Sequence, residues 1–343
     1  PDTILFDVPT QFSTFCAPDN MSDTPPCYAP SDYDNVFRGP MTIRNALAQS
    51  INVPAVKALY LVGINDALSL ARSMGITTLG SPDQYGLTLV LGGGEVSLLD
   101  MTSAYGVFAN GGVRNPYRSI IRIEDKDGTI IKQYPLQPQR VLDQNIALTI
   151  TDVLSDNVAR TPELGANSPL YFPGYGVAAK TGTTDDYRDA WILGYTPNIA
   201  AGAWAGNNDN SSMVKKIAGF IVAPLWHAFF EYALTKYPND SFPQAQSLES
   251  ESDKPILRGI WQGSDVAKVD ATTLQGVPPG YTGATRNKII VAVHDILYWL
   301  DKDNPRGPAP ANPSDDPQFA RWEFGARNWA TENSYVDGAT IYQ

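Results

Sequence analysis

Three short apolar runs, "YGVAAKTGT" (175–183), "RDAWILGYT" (188–196) and "NIAAGAWAGN" (198–207), constrain the fold more than any other feature of the chain. Each has the length of a strand, and the last two are joined by a tight turn at Pro197 and Asn198. A connection that short can only return the chain antiparallel. Helical periodicity lies on both sides of these runs, so the order predicts an α+β fold rather than alternating parallel βαβ units. The apolar stretch 217–234, "IAGFIVAPLWHAFFEYAL", carries Pro224, His227 and Glu231; it predicts a buried helix covering the sheet rather than a membrane span.

Upstream, residues 1–40 are turn-rich and show little periodicity. From Thr42, "TIRNALAQS" places Ile43, Ala46, Leu47 and Ser50 on one helical face. "INVPAVKALYLVG" then restarts a helix, with Pro54 near its first turn and Gly63 as its stop. Ser50, Ile51 and Asn52 therefore fall in a break between two helices, where polar side chains can face a cleft. Further helices are expected over about 65–73, ending at Gly75, over 97–109 with Ser97 as N-cap, and over 143–158 capped by Asp143. "YRSIIRIEDKDGTIIKQY" reads as a hairpin about Asp127 and Gly128. Residues 237–255 are polar and read as a linker; beyond it come a strand-like "ILRGIWQG", a mixed "NKIIVAVHDILYWLDK" and a proline-rich stretch.

The balance of 36 acidic against 25 basic residues, with no lysine or arginine run, argues against nucleic acid or anionic lipid as a partner. Cys16 and Cys27 are the two cysteines, and a local disulfide and two free thiols fit the sequence equally. His227 and His294, the two histidines, each sit in an apolar helical stretch and read as structural. With no cluster at ligand spacing, neither a metal nor a cofactor is expected. "LGGGEVSLL" (91–99) lacks the Gly-Lys-Ser/Thr ending of a phosphate loop and reads as tight helix packing.

Lys180 stands between small apolar residues and a Thr-Gly-Thr step. A Lys-Thr-Gly tripeptide arises by chance in roughly one chain in ten of this length, so its setting carries the argument. On an edge strand, Lys180, Thr181, Gly182 and Thr183 can receive an extended peptide as an added strand, glycine leaving room for close approach. An edge lysine that blocks aggregation is the plainer alternative. Ser50 and Asn52 have a plain alternative too, as helix caps.

Taken together, "MTIRNALAQSINVPAVKALYLVG", "LGGGEVSLLDMTSAYGVFANGG" and "AAKTGTTDDYRDAWILGYTPN" resemble the transpeptidase domain of class A, high-molecular-weight penicillin-binding proteins, in family order across about residues 1–240. The resemblance implies an antiparallel sheet sandwiched by helices, as in serine β-lactamases, with a small C-terminal extension. It divides the chain into a transpeptidase domain (1–236), a linker (237–255) and an extension or accessory module (256–343). It matches Lys180, Thr181, Gly182 and Thr183 to the family's Lys-Thr-Gly-Thr strand, and Ser50 with Asn52 to its Ser-x-Asn motif. In the family an acyl-serine intermediate forms on peptidoglycan stem peptides ending in D-Ala-D-Ala, and β-lactams acylate the same serine. The implied catalytic residues are Ser50 as proton relay, Asn52 as orienting amide and Lys180 as positive potential; Thr181, Gly182 and Thr183 bind substrate.

The family's Ser-x-x-Lys nucleophile motif precedes Ser-x-Asn, yet residues 1–49 do not supply it. Its one match, Ser212 to Lys215, follows the Lys-Thr-Gly segment and reads as a coincidence. With a start that has no methionine, the expectation is a chain cut before its nucleophile, membrane anchor and glycosyltransferase domain, inactive alone and working outside the cytoplasmic membrane. A non-catalytic stem-peptide-binding or scaffold module, and a D,D-carboxypeptidase using water as acceptor, are the alternatives.

Overall fold

A computed structural model describes residues 1–238, 240–246 and 253–343. Of the stretch read as a linker, residues 239 and 247–252 lie outside the described residues. The turn-rich opening hides a strand, β1 (Ile4–Asp7), antiparallel to β2 (Gly39–Thr42) with Ile4 opposite Thr42 and Asp7 opposite Gly39. All four residues of β1 are buried, so the alternation that marks a half-exposed strand is absent. Between the two strands Cys16 and Cys27 form a disulfide, with Cα atoms 5.6 Å apart.

Next come α1 (Ile43–Ala48), α2 (Asn52–Val62) and α3 (Ile64–Met74). Gly75 ends α3 at φ 107, a left-handed cap that returns its N–H to the last turn. Ser97 opens α4 (Leu98–Ala109) by accepting the Asp100 N–H at 3.0 Å. Ahead of α4 a Cβ on Gly93 would lie 2.9 Å from the Thr88 carbonyl oxygen, whereas one on Gly92 would meet only Thr184 Cγ2, at 3.9 Å. Two short ladders follow, β3 (Val113–Arg114) with β6 (Gln139–Arg140) and the exposed hairpin β4 (Arg122–Glu124) with β5 (Ile130–Gln133). Asp143 caps α5 (Gln144–Ser155). The helix expected over 143–158 is instead two, because Asp156 accepts the Ala159 N–H and begins α6 (Asn157–Leu164).

The three predicted strands form one antiparallel sheet in the order β7 (Ala178–Thr183), β8 (Asp189–Tyr195), β9 (Ala200–Gly206). The apolar run 217–234 is also two helices, α7 (Ala218–Ile221) and α8 (Ala223–Leu234), since Pro224 suits a helix start and cannot donate in a helix interior. Trp226 and Phe230 of α8 pack on Ala179, Ala190 and Ile192 on one face of the sheet. On the other face Ala178 and Tyr195 pack with Leu154 of α5 and with Tyr105 and Phe108 of α4. Helices thus sandwich an antiparallel sheet, as the resemblance implied. The fit is close: a Cβ on Gly194 would sit 2.4 Å from the Trp226 ring, and Trp226→Ala would cost about 3–5 kcal/mol.

Beyond residue 253, "ILRGIWQG" is not a strand. Pro255–Arg258 makes one helical turn that Gly259 ends at φ 82, and β10 (Gly263–Asp270) starts only afterwards. It pairs with β11 (Thr285–Val291), which pairs with β12 (Thr340–Tyr342); α9 (Ile296–Trp299) and α10 (Phe319–Glu332) lie between the last two strands in sequence. The proline-rich stretch before α10 masked a helix whose buried face is Trp322, Gly325, Ala326 and Ala330. Among the described residues, no single helix is long and apolar enough to cross a membrane.

Two compact units result. One joins Pro1–Ala46 and Ser50–Leu61 to the described residues from 253 on; the other holds Leu47–Gln49 and the described residues from Val62 to 246. In the first, Trp322 packs against Phe12 and Tyr60, and Trp329 against Phe6 and Trp261. Lys57, fully buried, donates to the Phe6 carbonyl at 2.8 Å and to Asp295 Oδ2 at 2.7 Å. Residues 256–343 therefore share a core with the opening of the chain.

Candidate active site

The candidate residues fall in both units: Ser50 and Asn52 in the first, Lys180, Thr181, Gly182 and Thr183 in the second. β7 is an edge strand, with Lys180 opposite Leu193 and Gly182 opposite Trp191 of β8. Strand alternation puts Lys180 and Gly182 on the face shared with Ala178, and Thr181 and Thr183 on the face of α7 and α8. Thr183 Oγ1 accepts the Ala218 N–H at 2.9 Å, which leaves its own proton to donate. A Cβ on Gly182 would meet only the Trp191 Cβ, at 3.7 Å. Packing does not require glycine here, so its effect is to leave the strand surface open.

Lys180 Nζ donates to the Thr181 carbonyl at 2.9 Å. Desolvation pushes its pKa down to about 8, against the opposing pull of Glu163. A lysine in that range carries its charge at neutral pH and can still give up a proton, which suits a group that must supply potential and take part in proton transfer.

The helix break in the first unit has a specific geometry. Ile51 returns its N–H to the Ala46 carbonyl at 2.9 Å and packs with Met41 and Ala46. That is the closing bond of a Schellman end, and it forces the residue before Ile51 into left-handed backbone. Glycine usually takes that place, but here Ser50 does, exposed and at φ 61. Such a non-glycine conformation costs of order 1 kcal/mol and clusters at functional positions.

Asn52 opens α2. Its backbone N–H donates to Asp32 Oδ1 at 2.7 Å and its side-chain Nδ2 to the Ser31 carbonyl at 2.9 Å. The Asn52 side chain is thus bound to a neighbouring loop. Asp32 is 3% exposed and Asp7 fully buried, and Arg38 lies 3.8 Å from the first and 4.0 Å from the second. Burial first, then hydrogen bonding and repulsion from Asp32, hold the Asp7 carboxyl well above the ordinary carboxylate range. These supporting residues were missed from the sequence. Their signal was an acid inside the apolar run "ILFDV" and the paired acids of "SDYDN".

The remaining candidates lie elsewhere. Ser212 and Lys215 are both exposed in an irregular loop after β9, so their spacing brings them to no common helical face. His227 Nδ1 is 2.7 Å from the Pro169 carbonyl and its ring stacks on Phe172; His294 Nδ1 is 2.6 Å from Glu323 and its ring stacks on Tyr298. Both histidines are held by their surroundings. Among the described residues no group of three or more His, Cys, Asp or Glu is placed to hold a metal ion. An apolar groove of about 650 Å³, lined by Leu98, Leu99, Ala201, Leu225 and Phe229 among others, runs along β9, the opposite edge of the sheet from Lys180.

Comparison with known proteins agrees with this architecture. The sequence model of the penicillin-binding protein transpeptidase domain matches residues 8–227. Penicillin-binding protein 1A of Aquifex aeolicus is 34% identical over 216 residues, covering 63% of this chain and 29% of the relative. Penicillin-binding protein 1A/1B of Bacillus subtilis is 34% identical over 300 residues, 80% of this chain and 32% of the relative. The chain thus spans about a third of the length of these relatives. In fold it is similar to penicillin-binding protein 1A from Haemophilus influenzae, with TM-score 0.60 at 21% identity over 83% of this chain and 44% of that one. It is similar too to the PonA1 protein from Mycobacterium tuberculosis in complex with penicillin V, with TM-score 0.57 at 19% identity over 71% of this chain and 68% of that one. With a match covering more than half its residues and running through both the helix break and the Lys-Thr-Gly strand, the chain belongs to the penicillin-binding protein transpeptidase family, of the class A type.

Proposed function

We propose that the chain is the part of a peptidoglycan D,D-transpeptidase that receives the end of a D-alanyl stem peptide, and a β-lactam in its place. One observation carries this reading: a desolvated lysine, Lys180, on an edge strand where Gly182 leaves the surface open without packing needing it. In the reaction a serine oxygen bonds to the penultimate D-alanyl carbonyl carbon, the C–N bond to the terminal D-alanine breaks, and the serine proton ends on the leaving amine. A second amine then takes the acyl group and frees the serine.

Lys180 supplies positive potential to that site, and the Thr183 backbone N–H, with the hydroxyl proton that the Ala218 contact leaves free to donate, is assigned to the charge that develops on substrate. Ser50 as relay and Asn52 as orienting amide are assigned from their match to the family motif. The nucleophile is assigned to no residue of 1–343, since the one Ser-x-x-Lys spacing lies in the loop after β9. The complete gene product is expected to take up labelled penicillin covalently; no uptake overturns the reading. The Cys16–Cys27 disulfide supports an extracytoplasmic location, since such bonds persist in oxidising compartments.

A second reading, supported by the open edge of β7 at Gly182, is a stem-peptide-binding module without chemistry. It predicts that the complete gene product binds a D-Ala-D-Ala peptide yet forms no covalent penicillin adduct.

A further inference from the structure

Behind the Ser50–Asn52 break lies a group of buried charges that the reaction above does not use. Asp32 Oδ1 accepts the Asn52 N–H at 2.7 Å, and the Arg38 N–H donates to Asp7 Oδ2 at 2.8 Å. Each carboxylate has one oxygen left. Asp7 Oδ1 and Asp32 Oδ2 are both buried, and neither accepts a hydrogen bond among the described residues. Two buried acceptors of neighbouring acids are satisfied together by one proton held between them. Arg38 offsets the single remaining charge, while also binding Asp34 at 2.8 Å. A second buried pair, Lys57 and Asp295, meets beside the Phe6 carbonyl, one residue from Asp7, with Glu323 accepting the Asp295 N–H at 3.2 Å; burial raises the pKa of the Asp295 carboxyl as well.

We propose that Asp7 and Asp32 share one proton and act as a latch on the Ser-x-Asn motif, with Asp32 as the positioning residue that fixes the first turn of α2 and so the place of Asn52. The importance of that place rests on the function proposed above; the latch itself does not. With the proton present, Asp7 donates to Asp32, the loop at 31–38 is held to β1, and it holds Asn52 through both the Asp32 carboxylate and the Ser31 carbonyl. Loss of the proton sets two anions side by side within 4.0 Å of Arg38, for which Asp34 competes. The loop then separates from β1 and Asn52 loses its anchor. Asp7→Asn mimics the protonated state, because an amide donates where the acid proton did, so this variant stays latched at every pH.

The test uses this chain, labelled with [15N]asparagine, and follows the Asn52 amide by NMR from about pH 5 to about pH 9, a range where an ordinary carboxyl has already titrated. A titration of Asn52 in this range that disappears in Asp7→Asn supports the latch. A flat Asn52 signal in the wild type, or an unchanged titration in Asp7→Asn, overturns it. Should Asp7→Asn not fold, the side-chain carboxyl carbon assigned to Asp7 in the unmodified chain labelled with [13C]aspartate decides: its titration within the same range supports the shared proton, and a signal already at its ionised position at about pH 6 overturns it. Because these signals need no substrate, failure of the latch is distinguishable from failure of penicillin uptake.

Discussion

Lys57 Nζ lies 2.7 Å from Asp295 Oδ2 with both side chains fully buried, joining α2 to the residue that opens α9. Removing one partner strands the other charge away from water. Lys57→Met is therefore expected to destabilise the chain by about 3–5 kcal/mol, whereas Lys57→Met with Asp295→Leu recovers most of that loss. Urea unfolding of the two variants measures the difference, and a double variant no better than the single contradicts the account.

Cys16 and Cys27 are 11 residues apart. Closing a loop of that size stabilises the fold by about 3 kcal/mol, chiefly by restricting the unfolded chain. A Cys16→Ser, Cys27→Ser variant is expected to melt several degrees lower, an effect that thiol reduction of the wild type should reproduce.

The sheet was legible because β8 and β9 are apolar runs of strand length that follow each other across a short turn. Caps were legible for the same local reason, at Ser97 and Asp143. What stayed hidden depends on distant partners. β1 is buried along its whole length by pairing with residues some 35 positions away, and α10 follows a proline-rich stretch. Both helix breaks, at Asp156 and Val222, were overridden by apolar periodicity that runs through them. At the site, motif residues were readable one by one, but Asp7, Asp32 and Arg38 gain meaning only when the opening of the chain folds back on α2.

Burial lowers the Lys180 pKa to about 8 from the ordinary 10.5, which gives stability a definite pH dependence. Between these values the unfolded chain binds the proton and the folded chain does not. Stability from this group is thus present above the ordinary lysine pKa and lost as pH falls through about 8. Relative to Lys180→Met, the wild type should gain melting temperature as pH rises from about 8 to about 10.5, a gain moderated by the partial exposure of the side chain. A difference independent of pH would contradict the desolvation of the Lys180 ammonium.

Gly182 separates folding from binding. A side chain there meets only Trp191 at ordinary contact distance, and a β-branched residue suits a strand. Gly182→Val is expected to leave the melting temperature unchanged or raised. In the complete gene product it should slow penicillin acylation roughly ten- to a hundredfold, the effect of about 1–3 kcal/mol of steric conflict with a ligand on β7. An equal loss of stability and acylation would make Gly182 structural.

The most direct test of the central claim is the rate at which the complete gene product, with and without Lys180→Ala, is labelled by a fluorescent penicillin. The account predicts covalent labelling of the wild type and a rate lower by about 10²–10³ in Lys180→Ala, while Cys16→Ser, Cys27→Ser keeps its rate at low temperature. Labelling of Lys180→Ala at the wild-type rate would contradict it.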